Sequence, residues 1–501
     1  MASLRKLCQP TFRKFVLGLV LLYFAIIRWG YPDLISTWLQ FGGLMSRRRA
    51  DVDYADTQAR MTRRRGPRVW TPWRPRVVYV RNHDVNFTVD RAQYVPSDDV
   101  IDVPPFYGPC PGAYESFTYV GPQVYVYSVY WDPRPNDVDN AGDGVFLRIM
   151  ALVNRTLGVA RAPIYCVFKT PTGEQLPVLA TYYEMCENHG ADWGGFVLSC
   201  RVPRFVYGAD RLTAPCHVQL SPSMYPRHEQ LFKIINTAPV VQQRDFTICV
   251  PPLFGKLPTA HVMEFMELTR LLGASHVMLY DFSVSPHVLS LVAYYESIGL
   301  ATVLPWKLSE DVNEAVWYHA QLVAAMDCLY RNMALSRLVV FADLDEYIVP
   351  YLHANWYDMI DYINSNDSCG FQVNSVFVDP YAQNRSSESK LESDELRTLT
   401  DTWRTIRPDT VRTKCIVKPQ LIFETGIHHV SRPVLARYLV QRVSYPVALL
   451  HHHRLCTMRF GVDCIGMVDD VVVPRRYSRV LPLLVQQRQA RFGLSDFSYE
   501  L

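Results

Sequence analysis

Short apolar and aromatic runs, separated by proline, glycine and asparagine, occupy the chain from about residue 118 to about residue 220. Typical runs are 124–127, 145–147, 164–168 and 196–198. This spacing is characteristic of antiparallel strands, and we assign residues 101–240 to a β-rich amino-terminal domain. The tyrosines in these runs are compatible with a sugar-binding surface, but half-buried strand faces explain them better.

The pattern changes at about residue 245, where apolar runs of strand length begin to alternate with longer helical patterns. The expected strands are 246–250, 276–280, 301–304 and 338–341, and the expected helices are 261–272, 286–298 and one long helix over 312–333. Strands that alternate with helices indicate βαβ units and a mainly parallel sheet. We therefore predict a Rossmann-type α/β domain over residues 241–470, followed by a carboxyl-terminal tail over 471–501.

The amino terminus carries one short apolar segment, which taken through Tyr31 is close to the thickness of the thinner secretory-pathway bilayers. Basic residues precede the run 15–31, and Arg28, Trp29 and Tyr31 lie at its end. We interpret residues 1–14 as a cytosolic tail, 15–31 as an uncleaved signal anchor and the Arg- and Pro-rich residues 32–100 as a stem. A cleaved signal peptide is the alternative, although no small-residue cleavage site follows the run.

Composition agrees with a chain that lies mostly in the secretory lumen. Four Asn-x-Ser/Thr sequons are present, and 11 of the 12 cysteines follow the anchor. Disulfide bonds are therefore expected in this part of the chain. The net charge of +3 gives no support for a nucleic-acid partner.

The most informative motif is Asp343-Leu344-Asp345-Glu346, which directly follows a buried apolar run. In an open α/β sheet, ligands bind at the carboxyl ends of the strands. Asp343 and Asp345 are thus candidate ligands for Mn²⁺ or Mg²⁺, with open positions left for the diphosphate of a nucleotide sugar. A solvated acidic turn is the plain alternative.

Other polar residues could complete such a site. Asp281 follows an expected strand and is a candidate for ribose or base binding, or else a helix cap. Lys414 and Lys418 would share one face of a strand and balance a diphosphate, or simply line a wet face. The histidine-rich segments 428–429 and 451–453 offer a histidine to a carboxylate metal site, whereas the ligand spacing of a zinc site is lacking.

The charged segment 384–402 is either a mobile lid or a plain exposed insertion. No Gly-x-Gly-x-x-Gly, Walker or Gly-x-Ser-x-Gly motif occurs, which disfavours dinucleotide redox chemistry, P-loop hydrolysis and serine hydrolysis.

Several motifs in one order resemble glycosyltransferase family 92 between about residues 123 and 460. The matching segments are 126–134, 251–255, 272–276, 279–281, 341–346, 414–419, 426–430 and 452–454. Trp131 and His453 depart from the pattern, and these departures bear on the choice of acceptor.

The resemblance implies a type II Golgi membrane protein with a GT-A-like catalytic fold. It also implies inverting transfer of galactose from UDP-galactose to N-glycan sugars with Mn²⁺. Asp343 and Asp345 would hold the metal, with His452 as the first choice for the completing histidine and His428 as the second.

Donor binding would involve Pro251, Asp281, Asp343 and the basic residues Lys414, Lys418 and Arg454. Inversion needs a carboxylate base, for which Glu424, Asp379 and Glu346 are the candidates. Glu424 is preferred because it precedes His428 by a few residues.

Alternatives to this function stay open at this point. One is a related enzyme with another UDP-sugar donor, and the other is a non-catalytic lumenal glycan-binding protein on the same scaffold. The expected partners are a UDP-sugar, a glycan or glycoprotein acceptor and one membrane through the anchor, and homo-oligomer formation stays open.

Overall fold

A computed structural model describes residues 116–139, 144–155, 163–170, 172–207, 211–212, 214–236, 242–382, 396–457 and 464–492. These residues lie within one unit, Ser97–Leu501. The proposed tail, anchor and stem, and most of the charged segment 384–402, fall outside the described residues. Within the described part of the chain, no helix has the length and apolar character needed to cross a bilayer.

The first sheet has nine strands. They are β1 Thr118–Gly121, β2 Val124–Asp132, β3 Phe146–Asn154, β4 Tyr165–Lys169, β5 Gln175–Leu179, β6 Thr181–Glu184, β7 Trp193–Arg201, β8 His217–Ser221 and β9 Leu231–Asn236. Their order is β5-β4-β8-β9-β2-β3-β7-β6, with β1 against β2. All pairs are antiparallel except β2 with β9.

Strand β2 shows how this sheet is held to the rest of the protein. Val129 and Trp131 point into the sheet's own apolar core. Tyr127 and Tyr130 point the other way, into a core shared with residues beyond 244. The buried tyrosines are therefore packing residues, as alternation along a strand predicts, and the two sheets share a hydrophobic core.

The second sheet has eleven strands. They are β10 Arg244–Phe254, β11 His276–Ser283, β12 Ala301–Pro305, β13 Ser336–Phe341, β14 Glu346–Pro350, β15 Ser368–Val378, β16 Trp403–Thr405, β17 Asp409–Val417, β20 Leu439–Arg442, β21 Ala448–His453 and β22 Met467–Asp469, while β18 Ile422–Thr425 and β19 Val430–Pro433 form a separate hairpin.

The helices are α1 Thr259–Leu272, α2 Pro286–Ser297, α3 Glu310–Ala315, α4 Gln321–Arg331, α5 Trp356–Ile363, α6 Arg397–Thr400, α7 Val472–Tyr477 and α8 Leu481–Phe492. Local signals explain several of their ends. Ser285 caps α2 by accepting a hydrogen bond from the Val288 amide, and Gly273 ends α1 with a φ of 130°.

The expectation of a mainly parallel sheet is correct for four neighbouring strands, and the rest of the sheet contains both directions. The order β12-β11-β10-β13 is parallel throughout. Beyond β13, the strands β17 and β15 pair antiparallel, and β14 pairs antiparallel with β21. Strand β15 also pairs parallel with β20 and β21, so the second sheet as a whole is mixed.

Three expected boundaries are wrong. Strand β10 does not end at Pro251 but continues to Phe254, and β11 continues past Asp281. The expected long helix over 312–333 is broken between α3 and α4, where Tyr318, His319 and Ala320 adopt left-handed backbone angles.

Residues 472–492 are not a loose tail. Helices α7 and α8 bury Val473, Leu481 and Val485 in the core that covers the parallel strands. Arg488 of α8 also donates to Glu267 of α1, at 2.8 Å from Nε to Oε1. The carboxyl-terminal helices thus complete the second layer of the α/β unit.

Candidate active site

Strands β10 and β13 lie side by side, yet the chain leaves β10 toward β11 and β12 before it returns to form β13. The strand order therefore reverses between β10 and β13, and such a switch point is where open α/β sheets bind ligands. A pocket with about 300 Å³ of empty space, part of it open to solvent, lies here. Its walls are Cys249, Val250, Pro251, Gln321, Ala325, Phe341, Ala342, Asp343, Lys414, Gly426 and Ile427.

The turn between β13 and β14 presents the two aspartates. The Glu346 amide donates to the Asp343 carbonyl at 3.1 Å, and the Asp343 amide donates to Glu346 Oε2 at 2.9 Å. These two bonds fix the backbone of the turn. The side chains of Asp343 and Asp345 remain 33% and 42% exposed, which leaves both carboxylates accessible to a ligand.

Lys414 of β17 is the buried cation of this site. Its ammonium lies 3.4 Å from Asp343 Oδ1 and 3.2 Å from Glu346 Oε2, with 2% of the side chain exposed. Burial opposes the charged form, but the two carboxylates outweigh it and raise the pKa of Lys414. Burial and the charge of Glu346 raise the pKa of Asp343 to about 6, while Lys414 opposes that rise.

His452 stands beside Asp345 because β14 and β21 pair Glu346 with His452. Its Nε2 lies 3.3 Å from Asp345 Oδ2, and its Nδ1 lies 3.4 Å from Glu346 Oε1. The ring stacks on Phe377 with a centroid distance of 5.3 Å. Although burial opposes both charges, the contact between the two side chains lowers the pKa of Asp345, and the carboxylates raise the pKa of His452.

The pair of Asp345 and His452 fits a divalent ion. Two ligand atoms at adjacent positions around an ion, each about 2.1–2.2 Å from it, are roughly 3 Å apart, close to the observed 3.3 Å. One carboxylate and one imidazole suit Mn²⁺ and leave positions for phosphate and water. No group of three or more His, Cys, Asp or Glu side chains among the described residues is arranged to hold a metal on its own.

Three other proposed residues lie near this pair. Pro251 lines the pocket from β10. Arg454 is exposed just after β21, and its charge contributes to the lowered pKa of Asp345. His428 has a buried Nδ1 without a hydrogen bond among the described residues, and burial and the charge of Lys414 lower its pKa to about 4.

Two proposed donor-binding residues are not brought to the pocket walls. Asp281 lies within β11, between Leu253 of β10 and Pro305 of β12. Lys418 lies past the far end of β17 and donates to the Ser365 carbonyl at 3.3 Å. Of the two lysines, the structure brings Lys414 to the aspartate turn and Lys418 to the Ser365 carbonyl, so a joint role toward a diphosphate stays a prediction.

The candidate bases differ in exposure. Glu346 is 1% exposed and holds the turn and Lys414. Glu424 is also 1% exposed, and it accepts hydrogen bonds from the Tyr183 hydroxyl at 2.7 Å and the Cys186 amide at 2.6 Å. Asp379 is half-buried and accepts from the Tyr381 and Cys456 amides. Glu424, the preferred residue from the sequence, instead joins the β18–β19 hairpin to the region of the first sheet around β6.

Glu424 makes a testable contribution to pH-dependent stability. Burial raises its pKa from 4.5 to about 7. Between these values the folded protein keeps a proton that the unfolded chain releases, so the free energy of unfolding falls as the pH rises. Glu424→Gln should therefore gain about 2–3 kcal/mol relative to the parent between pH 5 and pH 8, measured by urea unfolding. A difference that is the same at both pH values would contradict this role.

Sequence reasoning missed Gln321 and the contacts that shape the loop after Glu424. Gln321 begins α4, is 6% exposed and lines the pocket. Glu187, in the turn between β6 and β7, accepts a hydrogen bond from the Ile427 amide, and a Cβ at Gly426 would collide with its carboxylate. The break before α4 had no proline or glycine to signal it.

Comparison with known proteins identifies the second sheet and its helices. Residues 244–480 match the model described as Glycosyltransferase family 92. These residues form a glycosyltransferase family 92 domain. The family 92 domain contains every residue assigned above to the candidate metal pair, the lysine and the pocket.

Curated relatives agree with this assignment. Beta-1,4-galactosyltransferase galt-1 of Caenorhabditis elegans is 28% identical over 291 residues, or 54% of this chain and 63% of that protein. Galactan beta-1,4-galactosyltransferase GALS3 of Arabidopsis thaliana is 25% identical over 120 residues, or 23% of each chain. The chain thus matches less than two thirds of the length of these relatives.

Solved structures align only loosely. Staphylococcus aureus TarS 1–349 aligns at 13% identity with a TM-score of 0.23, over 42% of this chain and 60% of that chain. Glucosyl-3-phosphoglycerate synthase from Mycobacterium tuberculosis, in complex with Mn²⁺, UDP and its product, aligns at 12% identity with a TM-score of 0.22, over 52% and 83%.

Proposed function

We propose that the protein is a metal-dependent inverting glycosyltransferase that transfers galactose from UDP-galactose to a sugar of a glycoprotein glycan. The observation that carries this proposal is the contact between Asp345 and His452 beside Lys414, at the switch point of the sheet. Asp345 and His452 are side chains of the type that ligate metal ions, and Lys414 is a buried cation beside the pocket. This combination suits the binding of a diphosphate.

The reaction breaks the bond between the anomeric carbon and the UDP oxygen, and it forms a bond from that carbon to an acceptor hydroxyl oxygen. A Mn²⁺ ion held by Asp345 and His452, with Asp343 next to them, would stabilise the charge that grows on the departing diphosphate. Lys414 holds Asp343 and Glu346 in place through its ammonium. Arg454 adds positive charge on the exposed side.

Galactose as the transferred sugar is supported by the relatives, because those in C. elegans and Arabidopsis thaliana are named as beta-1,4-galactosyltransferases. A GT-A-like classification is part of the same proposal and is supported by the parallel order β12-β11-β10-β13 with the aspartates after β13.

Golgi residence with a type II anchor remains our proposal from the amino-terminal sequence. Alkaline carbonate extraction of Golgi membranes tests it, since an anchored chain stays in the pellet.

Asp379 is our candidate for the base that accepts the proton of the acceptor hydroxyl. Unlike Glu346 and Glu424 it is half-buried, and it follows β15, where Val378 pairs with His453. Asp379→Asn should lower kcat at least about 100-fold, the usual contribution of a general base, with UDP affinity unchanged. Steady-state kinetics and UDP titration measure the two effects, and an unaltered kcat would exclude Asp379.

The experiment that tests the function is a panel of UDP-sugars with a glycan acceptor in Mn²⁺. We expect transfer from UDP-galactose and loss of transfer when EDTA removes the ion. Transfer from a different UDP-sugar would keep the enzyme class and correct the donor. Absence of transfer together with absence of Mn²⁺-dependent UDP binding would contradict the proposal and favour a glycan-binding protein without catalytic activity.

A further inference from the structure

The segment between α3 and α4 has an unusual backbone. Tyr318, His319 and Ala320 have φ values of 46°, 55° and 61°, which places three consecutive residues that are not glycine in the left-handed region. Such conformations are unfavourable and persist only where surrounding contacts enforce them. They are concentrated at ligand-binding and catalytic sites, so this segment calls for a functional explanation.

Several contacts enforce this conformation. The His319 ring lies between Phe254 and Phe282, at centroid distances of 4.2 Å and 4.6 Å. The His319 carbonyl accepts a hydrogen bond from Trp306 Nε1 at 2.8 Å, and His319 Nδ1 lies 2.7 Å from Asn313 Oδ1. His319, the inward-facing residue of the segment, is therefore held in place by contacts with β10, β11 and α3.

A second attachment joins the segment to the first sheet. Val316 forms an isolated parallel bridge with Trp193 at the start of β7. The Trp317 ring lies against the His189 ring at a centroid distance of 4.4 Å with a tilt of 34°. The segment thus spans the junction of the two sheets and has little freedom to move.

Two large aromatic side chains point outward from this rigid segment. Trp317 is 46% exposed and Tyr318 is 51% exposed. Burying both would be favourable in a protein of this size, because each carries a large apolar surface. Instead the backbone adopts an unfavourable conformation that keeps them at the surface.

Their position relative to the pocket is also defined. Tyr318 packs its ring edge-on against Phe254 at 5.4 Å. Burial raises the pKa of Tyr318, and the charges of Asp343 and Asp345 raise it further. Gln321 lines the pocket itself, whereas Trp317 and Tyr318 do not. Because residues 317–320 directly precede Gln321, we place the two aromatic rings beside the pocket and outside its walls.

We propose that Trp317 and Tyr318, supported by His189, form an aromatic platform that binds one pyranose ring of the acceptor glycan. This inference rests on the proposed glycosyltransferase function and names where its acceptor binds. A pyranose has one face of C–H groups, which can pack on an aromatic ring, and hydroxyls at its edge that reach polar groups. A rigid platform at the rim would hold such a ring against the donor pocket.

Direct binding tests the platform separately from catalysis. Saturation-transfer NMR with the full lumenal chain, UDP and Mn²⁺ would be recorded with methyl glycosides of galactose, glucose, mannose, fucose and N-acetylglucosamine as probes. We expect at least one glycoside to bind the parent protein and to bind Trp317→Ala at least tenfold more weakly. Trp317→Phe should retain an intermediate affinity, because it keeps a flat ring.

Two controls make the result specific. Tyr362→Ala removes an aromatic ring that is 64% exposed on α5 and should leave glycoside binding unchanged. Titration of UDP should give the same affinity in Trp317→Ala as in the parent, and thermal unfolding shows whether each variant is folded.

Each outcome of the glycoside and UDP titrations either supports or overturns the inference. Loss of UDP affinity in folded Trp317→Ala would overturn it and assign the ring to the nucleotide. Absence of glycoside binding to the parent, or unchanged binding to the variant, would also overturn it. If glycoside binding follows Trp317 but no UDP-sugar supports transfer, the platform stands and the proposed catalytic function fails.

Discussion

Replacing Asp345 by asparagine is expected to lower the rate of sugar transfer about 10³-fold. The substitution keeps the shape of the side chain but removes the negative charge beside His452. A divalent ion that neutralises a departing diphosphate contributes several kcal/mol to the transition state, and about 4 kcal/mol corresponds to a factor of 10³. Initial rates with UDP-galactose at saturating Mn²⁺ measure this loss.

Asp361→Asn is the matched control, because the Asp361 side chain is 72% exposed, lies 3.6 Å from Arg337 and does not line the pocket. It should retain the parent rate. Thermal unfolding of Asp345→Asn should stay close to that of the parent, because the Asp345 side chain is partly exposed. A folded Asp345→Asn variant with an unchanged rate would remove the metal role from this residue.

Replacing Lys414 by methionine should destabilise the protein by about 3–5 kcal/mol, the usual cost of leaving one side of a buried ion pair without its partner. Methionine fills similar volume, but Asp343 and Glu346 then face each other without the ammonium between them. Urea unfolding at pH 7 gives the free-energy difference. The same variant should lose transfer, because the turn that presents the aspartates depends on this lysine.

A double variant distinguishes the ionic contribution from a packing defect. Lys414→Met combined with Glu346→Gln removes the fully buried carboxylate, and it should recover a large part of the lost stability while transfer stays low. If Lys414→Met alone cost less than about 1 kcal/mol, as surface pairs do, the lysine would not be the buried counter-ion of this site.

The sequence predicted much of the parallel half of the second sheet. Strands β10, β11, β12 and β13 lie where apolar runs were found, and helices α1 and α2 end at Gly273 and next to Gly299. The Asp343 and Asp345 turn could be placed at a sheet edge because it follows a continuous buried run. Local signals suffice for such elements, since burial on both faces requires apolar residues throughout a strand.

The rest of the site depends on contacts between distant residues. His452 was selected by family resemblance, and its proximity to Asp345 follows from the register of β14 and β21, which no local pattern shows. Glu424 was preferred because it precedes His428 by a few residues, yet the strand turns its side chain toward Tyr183 of the first sheet. Neighbours in sequence can face opposite sides of a strand.

The left-handed break before α4 shows that backbone structure also depends on contacts that no local sequence pattern reveals. Residues 312–333 contain no glycine or proline and continue a helical pattern. Tertiary contacts to His319 and Val316 override that pattern. Intrinsic propensity is weak compared with such contacts, which is why the break was not predicted.

The most direct test of the account is diffraction from crystals that contain UDP and Mn²⁺, with anomalous data collected at the manganese edge. We predict one strong anomalous peak within coordinating distance of Asp345 and His452, with the diphosphate of UDP next to it and toward Lys414. UDP bound in the pocket with no anomalous peak at these two residues would contradict the account.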